Sequence, residues 1–321
     1  MTAISFPPSP PQIRPFDPRR DLEPVANLIE SCFAETLDQD GRRYIQHMRA
    51  MARYKAARRW AFFGIRANPM IPSGFVWEED GNVVGNLSLV PVTYRGHIYY
   101  LIANVAVDPA YRRRGIATML TQAALRKSQQ RRVASTWLHV QEDNRAAQAL
   151  YAKLGFQRRA KRTTWRLHPE HITGEAPSGY RVDSRRPCYW PSHRSWLRQN
   201  YPAVLRWHFN LNPLSMKPGF WGALNRFLSE IEIRHWAVLQ GDQLLGVLSW
   251  QRSWGSRDRL WLAAPPGQDE IVLRTTLPYL RYDPALRRPM ILDYPAGRAH
   301  SALVDAGFSP KTTLIWMEVN S

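Results

Sequence analysis

The chain contains one long sequence pattern twice. Residues 234–250 resemble residues 75–89, which aligns Gly246 with Gly85 at an offset of 161. Residues 288–319 resemble residues 135–167, which aligns Gly307-Phe308 with Gly155-Phe156 at an offset of 152. A repeat this long is typical of two copies of one fold. The 321 residues therefore predict two similar half-chains, each of the usual size of a domain.

The spacing of apolar residues in the first half predicts alternating helices and strands. The predicted elements, in order, are a short strand and turn over 13–18, a helix over 21–34, strands over 75–79, 83–93 and 97–107, a helix from 115 to about 130, a strand over 135–140, a helix over 144–156, and two further strands, one from 156 and one over 163–167. Asp80-Gly81 and Arg95-Gly96 are turn sequences, so the first three of these strands form an antiparallel meander. The order predicts a mixed α/β fold with one parallel crossover.

The predicted domain boundaries follow from composition. Residues 1–12 are rich in proline and predict a flexible tail, and residues 13–168 hold the first domain. Residues 169–179 are poor in apolar residues and contain Pro and Gly, which is typical of a linker. The second domain then covers 180–321.

The net charge of +18 admits several partners, among them nucleic acid, an acidic substrate and a polyanionic cofactor. Residues 42–59 interleave basic and apolar residues and predict an amphipathic helix. Its basic face is either a solvated surface or a binding surface. Charge alone leaves this choice open.

Cysteine content indicates a reducing compartment. Cys32 and Cys188 are the two cysteines, and they have neither the spacing of a disulfide framework nor that of a zinc site. We therefore expect a cytoplasmic protein without a metal. The first residues lack a signal-peptide pattern, and no stretch of 18 apolar residues follows, so we expect no membrane association.

Residues 107–117, VDPAYRRRGIA, place three arginines at the start of a predicted helix. The N-terminus of a helix is already the positive end of its dipole, so an anion is expected to offset these cations. A glycine at the same turn lets the oxygens of a phosphate approach the backbone N–H groups. The segment therefore predicts an anion site.

Two motifs give the first half a resemblance to the GCN5-related N-acetyltransferase (GNAT) family. After a strand that ends at Val105-Ala106-Val107, residues 112–117 fit the family's Arg/Gln-x-x-Gly-x-Gly/Ala signature. Asn144-x6-Tyr151-x3-Gly155-Phe156 fits its second signature. The resemblance covers about residues 13–168 and implies two acyl-CoA N-acyltransferase-like domains in tandem, each a mostly antiparallel sheet flanked by helices.

The resemblance implies acetyl-CoA as the acyl donor and an amine-bearing acceptor. The residues implied to bind acetyl-CoA are Val105, Ala106, Val107, Arg112, Arg113, Arg114, Gly115, Ile116, Ala117, Thr118, Asn144 and Tyr151. A backbone N–H near Val105 to Val107 would stabilise the oxyanion, and Tyr151 would protonate the departing thiolate. In ribosomal-protein N-terminal acetyltransferases a glutamate lies five residues before the asparagine.

His139 occupies that position here and is the candidate general base. Two alternatives stay open. His139 is packed as a structural residue, or Tyr99, Tyr100 and Asn104 order a water that takes the proton.

The second half lacks the motifs. Ala296 and Leu303 stand where Asn144 and Tyr151 do, and Asp269 and Glu270 stand where phosphates would bind. The resemblance therefore implies a degenerate second domain, as in other tandem chains such as mycothiol synthase. The predicted function is acetyl transfer to a primary amine of an anionic small molecule or peptide, and the alternative is a non-catalytic module that binds acetyl-CoA or nucleic acid. We do not expect nucleic acid as a partner, and the sequence does not determine the oligomeric state.

The prediction of an anionic acceptor rests on basic residues near the expected acceptor site. They are Arg42, Arg43, Arg58, Arg59, Arg158, Arg159, Lys161 and Arg162.

Overall fold

A computed structural model describes residues 10–35, 37, 39–53, 73–202, 205–209, 211–253, 255–281, 283 and 286–320. By its contacts the chain divides into two units. The first unit is Met1–Arg159 with Trp316–Ser321, and the second unit is Ala160–Ile315. None of the helices in the described residues is long and apolar enough to cross a membrane.

The first unit alternates strands and helices in the predicted order. Its elements are β1 (Ile13–Pro15), α1 (Leu22–Phe33), α2 (Gln39–Arg53), β2 (Gly74–Glu79), β3 (Asn82–Tyr94), β4 (His97–Val107), α3 (Ile116–Gln130), β5 (Ser135–Gln141) and α4 (Arg145–Lys153). Strands β1 to β4 are antiparallel neighbours, and β5 is parallel to β4. The predicted meander and the single parallel crossover are confirmed.

Both predicted hairpin turns have the backbone that their sequences favour. Asp80 and Gly81 have φ of 51° and 77°, and Arg95 and Gly96 have φ of 51° and 79°. Two successive residues with positive φ form the turn that matches the twist of antiparallel strands, and glycine adopts such angles without strain.

Two layers of helices cover the sheet of the first unit. Helices α1 and α2 bury an apolar cluster against the Val76 face of β2, and this cluster includes Val25, Ile45 and Met48. Helix α3 lies on the other face, where a Cβ at Gly85 would come within 2.9 Å of Ile116 and of Trp77. Glycine at position 85 therefore allows the first turn of α3 to pack directly on β3.

The second unit repeats this plan. Its elements are most of β6 (Gln157–Leu167), then β7 (Arg181–Ser184), α5 (Trp190–Asn200), α6 (Arg206–Phe209), α7 (Phe220–Leu228), β8 (Ile233–Gln240), β9 (Gln243–Gln251), β10 (Asp258–Ala263), α8 (Asp269–Leu280), β11 (Met290–Pro295), α9 (His300–Asp305) and the first part of β12 (Ser309–Asn320). Strands β7 to β10 are antiparallel and β11 is parallel to β10. The predicted tandem fold is confirmed.

The residues aligned by the internal repeat have equivalent roles in the two units. A Cβ at Gly246 would come within 2.6 Å of Val272 in α8, as one at Gly85 would meet α3. The amide of Phe156 donates to the carbonyl of Tyr151 at 3.1 Å, and that of Phe308 donates to Leu303 at 2.9 Å. Tyr151 and Leu303 therefore hold the same position at the ends of α4 and α9.

Three predictions from the sequence differ from what the structure describes. The two strands expected from residue 156 are one strand, β6 (Gln157–Leu167), because this segment contains no Gly or Pro to interrupt it. The basic helix expected over 42–59 begins earlier, as α2, and residues 54–59 lie outside the described residues, as does most of the predicted tail. The division at Arg159 differs from the predicted linker at 169–179, so the boundaries 13–168 and 180–321 stay predictions.

Two histidines, one buried and one partly buried, lie between α5 and the sheet of the second unit. His193 is fully buried, and its Nδ1 lies 3.3 Å from an Nη1 of Arg185. His235 bonds through Nδ1 to the hydroxyl of Ser249 at 2.8 Å, and the two rings are 5.5 Å apart. Burial, with the nearby charge of Arg185, lowers the pKa of His193 to about 3 and that of His235 to about 2. Both imidazoles are therefore neutral in the folded unit.

We predict that the second unit loses stability as the pH falls below 6.5. An unfolded histidine takes up a proton near pH 6.5, whereas the folded ones do not, so acid favours the unfolded state. Between pH 6.5 and 5 the free energy of unfolding should fall by about 2 kcal/mol for each histidine. Urea titrations followed by hydrogen exchange of β8 and β9 measure the second unit alone.

The control separates these histidines from the others. His193→Gln should flatten the dependence of unfolding on pH even if the variant is less stable overall. His97→Gln, at an exposed position of the first unit, should leave the slope unchanged. An unchanged slope in His193→Gln would contradict the prediction.

Candidate functional site

Strands β4 and β5 separate in the middle of the first unit. Their parallel pairing runs from Tyr100↔Thr136 to Ile102↔Leu138. Beyond Ile102, β4 continues to Val107 but no longer pairs with β5 in the described residues. The stretch of β4 from Val105 to Val107 thus has no neighbouring strand on the side that faced β5 within the described residues.

A bulge at Asn104 accompanies this separation. The register of β3 against β4 shifts between Asn86 and Ser88, and Asn104 has a φ of 50°. A bulge bends its strand and increases the local twist, which turns the end of β4 away from β5. Asparagine tolerates this left-handed conformation better than most residues with a side chain.

Three polar side chains surround the bulge. The amide of Asn86, 1% exposed, donates to the carbonyl of Asn104 at 2.8 Å. The side chain of Asn104 hydrogen-bonds Tyr44 of α2 and lies 3.5 Å from the hydroxyl of Ser88. Burial raises the pKa of Tyr44, so its phenol stays protonated. The sequence pointed to Asn104 but not to Asn86 or Tyr44, since each is unremarkable within its own strand or helix.

The start of α3 presents a row of free backbone donors. Gly115 caps the helix with a φ of 79°, and Arg113 has a φ of 65°. Within the described part of the chain, the N–H groups of residues 113–118 have no hydrogen-bond acceptor. Ile116, Ala117 and Thr118 form the first turn, where the dipole is positive. This geometry fits the predicted anion site.

The three arginines have different surroundings. Arg114 pairs with Glu79 at 2.7 Å and lies over the ring of Tyr111. Arg112 donates from Nε to the carbonyl of Val107 at 3.2 Å, which leaves its terminal nitrogens free of partners in the described residues. Arg113 is exposed and makes no hydrogen bond or ion pair within the same residues. Arg113 is thus the most available cation, a distinction that the sequence does not make.

The end of β4 is also contacted by α1. The thiol of Cys32 donates to the Val107 carbonyl, with a sulfur-oxygen distance of 3.4 Å. That carbonyl therefore accepts hydrogen bonds from both Cys32 and Arg112. Nothing in the sequence around Cys32 indicates this contact, because the two residues are 75 positions apart.

Asn144 and Tyr151 lie at opposite ends of α4. Asn144 is the N-cap, and its side-chain oxygen accepts the N–H of Ala147 at 3.0 Å. Tyr151 is 8% exposed and packs edge-on against Phe156, with ring centroids 5.8 Å apart. Burial raises the pKa of Tyr151 to about 12. Its phenol is therefore protonated at neutral pH, and its hydroxyl has no hydrogen-bond partner in the described residues.

His139 is the first residue of β5 beyond the paired segment. Its ring lies 5.1 Å from that of Trp316, centroid to centroid, and Trp316 belongs to the same unit. Burial lowers the pKa of His139, so the imidazole is neutral at pH 7. A neutral imidazole at the opening between two strands can accept a proton.

The corresponding region of the second unit is filled by its own side chains. Asp269, at the first position of α8, accepts two hydrogen bonds from Arg298 at 2.6 and 2.8 Å. The hydroxyl of Tyr294 donates to the same carboxylate at 2.6 Å, and Asn200 donates to Tyr294 at 3.1 Å. The start of α8 thus holds an internal anion and an internal cation.

The basic residues expected near an acceptor differ in availability. Arg162 is 3% exposed, pairs with Asp293 and donates to the carbonyl of Asn200, so it does not face solvent. Arg158 donates to Gln148, and Arg159 pairs with Glu318. Arg58 and Arg59 lie outside the described residues.

Comparisons with known proteins agree with this geometry. The model of the acetyltransferase (GNAT) family matches residues 25–156. A [ribosomal protein bS18]-alanine N-acetyltransferase of Escherichia coli is 45% identical over 53 residues, which is 16% of this chain and 36% of that protein. A mycothiol acetyltransferase of Thermomonospora curvata is 30% identical over 161 residues, 50% of this chain and 48% of that protein. The chain thus matches less than half the length of either curated relative.

A solved structure extends the likeness in fold to the whole chain. A GCN5-related N-acetyltransferase from Sphaerobacter thermophilus superposes with a TM-score of 0.57 at 14% identity. The superposition covers 98% of this chain and 97% of that one.

We predict that Asn104→Ala destabilises the first unit more than Asn104→Gly does. Both variants lose the side-chain contacts with Tyr44 and Ser88, but only glycine adopts a positive φ freely. The free energy of unfolding of the alanine variant should be lower by about 1 kcal/mol. Urea denaturation of both variants measures this difference.

The same pair of substitutions at Asn82 is the control. Asn82 begins β3 without a positive φ, so glycine there should be the less stable variant. Equal stability of the two Asn104 variants would show that the bulge does not depend on its backbone angle.

Proposed function

We propose that this chain, whose residues 25–156 form a domain of the acetyltransferase (GNAT) family, transfers the acetyl group of acetyl-CoA to a primary amine. The first unit would perform the reaction. The observation that carries the proposal is the row of N–H groups at residues 113–118 that have no acceptor among the described residues. They lie beside Arg113, which has no partner among those residues either, and next to the open edge of β4.

The anion in this proposal is the pyrophosphate of CoA. Backbone N–H groups at a helix start bind phosphate oxygens, and Gly115 has no Cβ to obstruct them. Arg113 and the terminal nitrogens of Arg112 add charge-assisted hydrogen bonds. Arg114 contributes less, because Glu79 already neutralises it.

The thioester would lie along the open edge of β4. A backbone N–H between Val105 and Val107 would donate to the oxyanion that forms when the amine attacks the carbonyl carbon. The C–N bond forms as the C–S bond breaks, and the thiolate of CoA leaves. Asn144 would contact the pantetheine arm through its amide nitrogen, because its oxygen already caps α4.

Tyr151 is proposed as the general acid. With a pKa near 12 it holds its proton at neutral pH and can give it to the thiolate when that charge develops. The buried ring, and a hydroxyl that has no hydrogen-bond partner among the described residues, favour this role.

His139 is proposed as the general base. The amine must lose a proton to attack, and a neutral imidazole can take that proton directly or through water. A water ordered by Tyr99, Tyr100 or Asn104 is the alternative base.

The acceptor is proposed to be anionic, although fewer basic residues support this proposal than the sequence suggested. Arg162 no longer supports it because it is buried with Asp293. Exposed Arg42 on α2 still favours a carboxylate or phosphate on the acceptor. A screen of amines, amino acids, peptides and aminoglycosides for release of CoA thiol tests the function and identifies the acceptor class; background release with every amine would reject it.

One acetyl-CoA per chain is proposed, bound in the first unit. In the second unit, the carboxylate of Asp269 lies at the start of α8 and would repel a pyrophosphate. Calorimetry that gave two equal sites would reject this assignment.

We predict that Arg113→Ala weakens acetyl-CoA binding about tenfold, because it removes charge-assisted hydrogen bonds to phosphate. Arg114→Ala is the matched control, since its guanidinium is paired with Glu79 and should change affinity by less than about threefold. Calorimetry with each variant measures both. A larger effect at Arg114 than at Arg113 would contradict the proposed phosphate site.

We predict that Tyr151→Phe lowers kcat about 100-fold and leaves the affinity for acetyl-CoA nearly unchanged, because only the proton donor is lost.

His139→Gln should remove the fall in kcat/KM on the acid side of the pH profile. In the wild type this fall follows protonation of His139 below pH 6.5. Steady-state rates across pH measure both variants.

Two results would contradict the proposed roles of Tyr151 as general acid and His139 as general base. Wild-type turnover in Tyr151→Phe would exclude it as the acid. A uniform loss of rate at all pH values in His139→Gln, with the profile unchanged, would identify His139 as structural.

A further inference from the structure

Helix α7 of the second unit exposes its apolar face. Phe220, Trp221, Leu224, Phe227 and Leu228 follow helical spacing and form one stripe, called here the α7 stripe. Phe220 is 71% exposed, Trp221 67%, Phe227 80% and Leu228 72%. Helices of globular proteins normally turn such a stripe inward.

Contacts on the opposite side hold α7 in this orientation. A Cβ at Gly222 would overlap the carbonyl of Lys217, which brings the helix against the turn before it. Asn225 accepts the amide of Asn212 at 3.0 Å, and Arg226 donates to the carbonyls of Ser215 and Lys217. The helix cannot rotate to bury its stripe without breaking these bonds.

The stripe is as large as the largest apolar patch of a typical monomer, and such patches are often functional. Aromatic side chains have about 150–250 Å² of surface each, so the α7 stripe exposes about 500 Å². The largest apolar patch of a typical monomer covers about 300–600 Å², and one side of a standard interface buries about 800 Å². With its rim, the stripe supplies most of one side of a dimer interface.

The charges at its two ends are complementary to each other. Lys217 precedes α7 and Glu230 follows it, both exposed and neither in an ion pair within the described residues. They lie at nearly equal distances along the chain from Leu224, and the stripe between them is uncharged. An antiparallel pair of such helices would bring Lys217 of each copy to Glu230 of the other.

We propose that the α7 stripe pairs with the same stripe of a second copy of this chain, across a twofold axis near Leu224. A twofold interface uses one self-complementary surface on both copies. The uncharged stripe and the opposite charges at its ends meet this requirement.

The test measures the mass of the full chain by sedimentation over a wide range of concentration. The wild type should reach twice the chain mass of 37.2 kDa. Trp221→Glu should raise the dissociation constant of the dimer about 30-fold or more, as loss of a central aromatic does. Tyr279→Glu, 60% exposed on α8 and outside the stripe, should leave it unchanged.

A charge exchange makes the test specific for the antiparallel arrangement. Lys217→Glu or Glu230→Lys alone should weaken the dimer about tenfold, because like charges then meet twice. The double exchange should restore it. Thermal unfolding shows that the variants are folded.

Three results would overturn the proposal. They are a wild type that stays monomeric at every concentration, a dimer insensitive to Trp221→Glu, and a double exchange that fails to restore association. If the chain stayed monomeric and bound lipid vesicles through the stripe, the proposal of a dimer would also be overturned.

Discussion

The separation of β4 from β5 after Ile102↔Leu138 is the constraint on which the candidate site depends. A parallel pair that stayed together would satisfy its own backbone groups and offer none to a ligand. The bulge at Asn104 lies just beyond the last pair, and a bulge bends its strand. His139 follows directly on β5, and the loop to α3 begins where β4 ends, so the opening gathers groups from distant parts of the sequence.

The two units show how one scaffold can hold different electrostatics. In each, a glycine on the third strand lets the crossover helix pack closely on the sheet. Among the described residues, the start of α3 has N–H groups without acceptors and the exposed Arg113, whereas the start of α8 has Asp269 bonded to Arg298 and Tyr294. A buried carboxylate so well paired stabilises its helix end.

Several features of the first unit could be predicted because they depend on neighbouring residues. The hairpins follow from Asp80-Gly81 and Arg95-Gly96, and the cap of α4 follows from Asn144. The prediction of two strands after residue 156 was wrong, since β6 is one continuous strand. One long strand and two short strands have the same alternation of residues, so the pattern does not distinguish them. The surroundings of Arg112, Arg113 and Arg114 were beyond prediction, since Glu79 and Val107 come from other elements.

The sequence by itself determined the repeated fold, the positions of most elements and the motif at residues 112–117, because periodicity, turn residues and capping act over short distances along the chain. Only the tertiary structure decided which arginine has no partner among the described residues, that Tyr44 and Asn86 support the bulge, and that Arg162 is buried with Asp293. It also decided that α7 turns its apolar face to solvent. These outcomes depend on contacts between residues far apart in sequence, and an amphipathic pattern does not state which way its apolar face points.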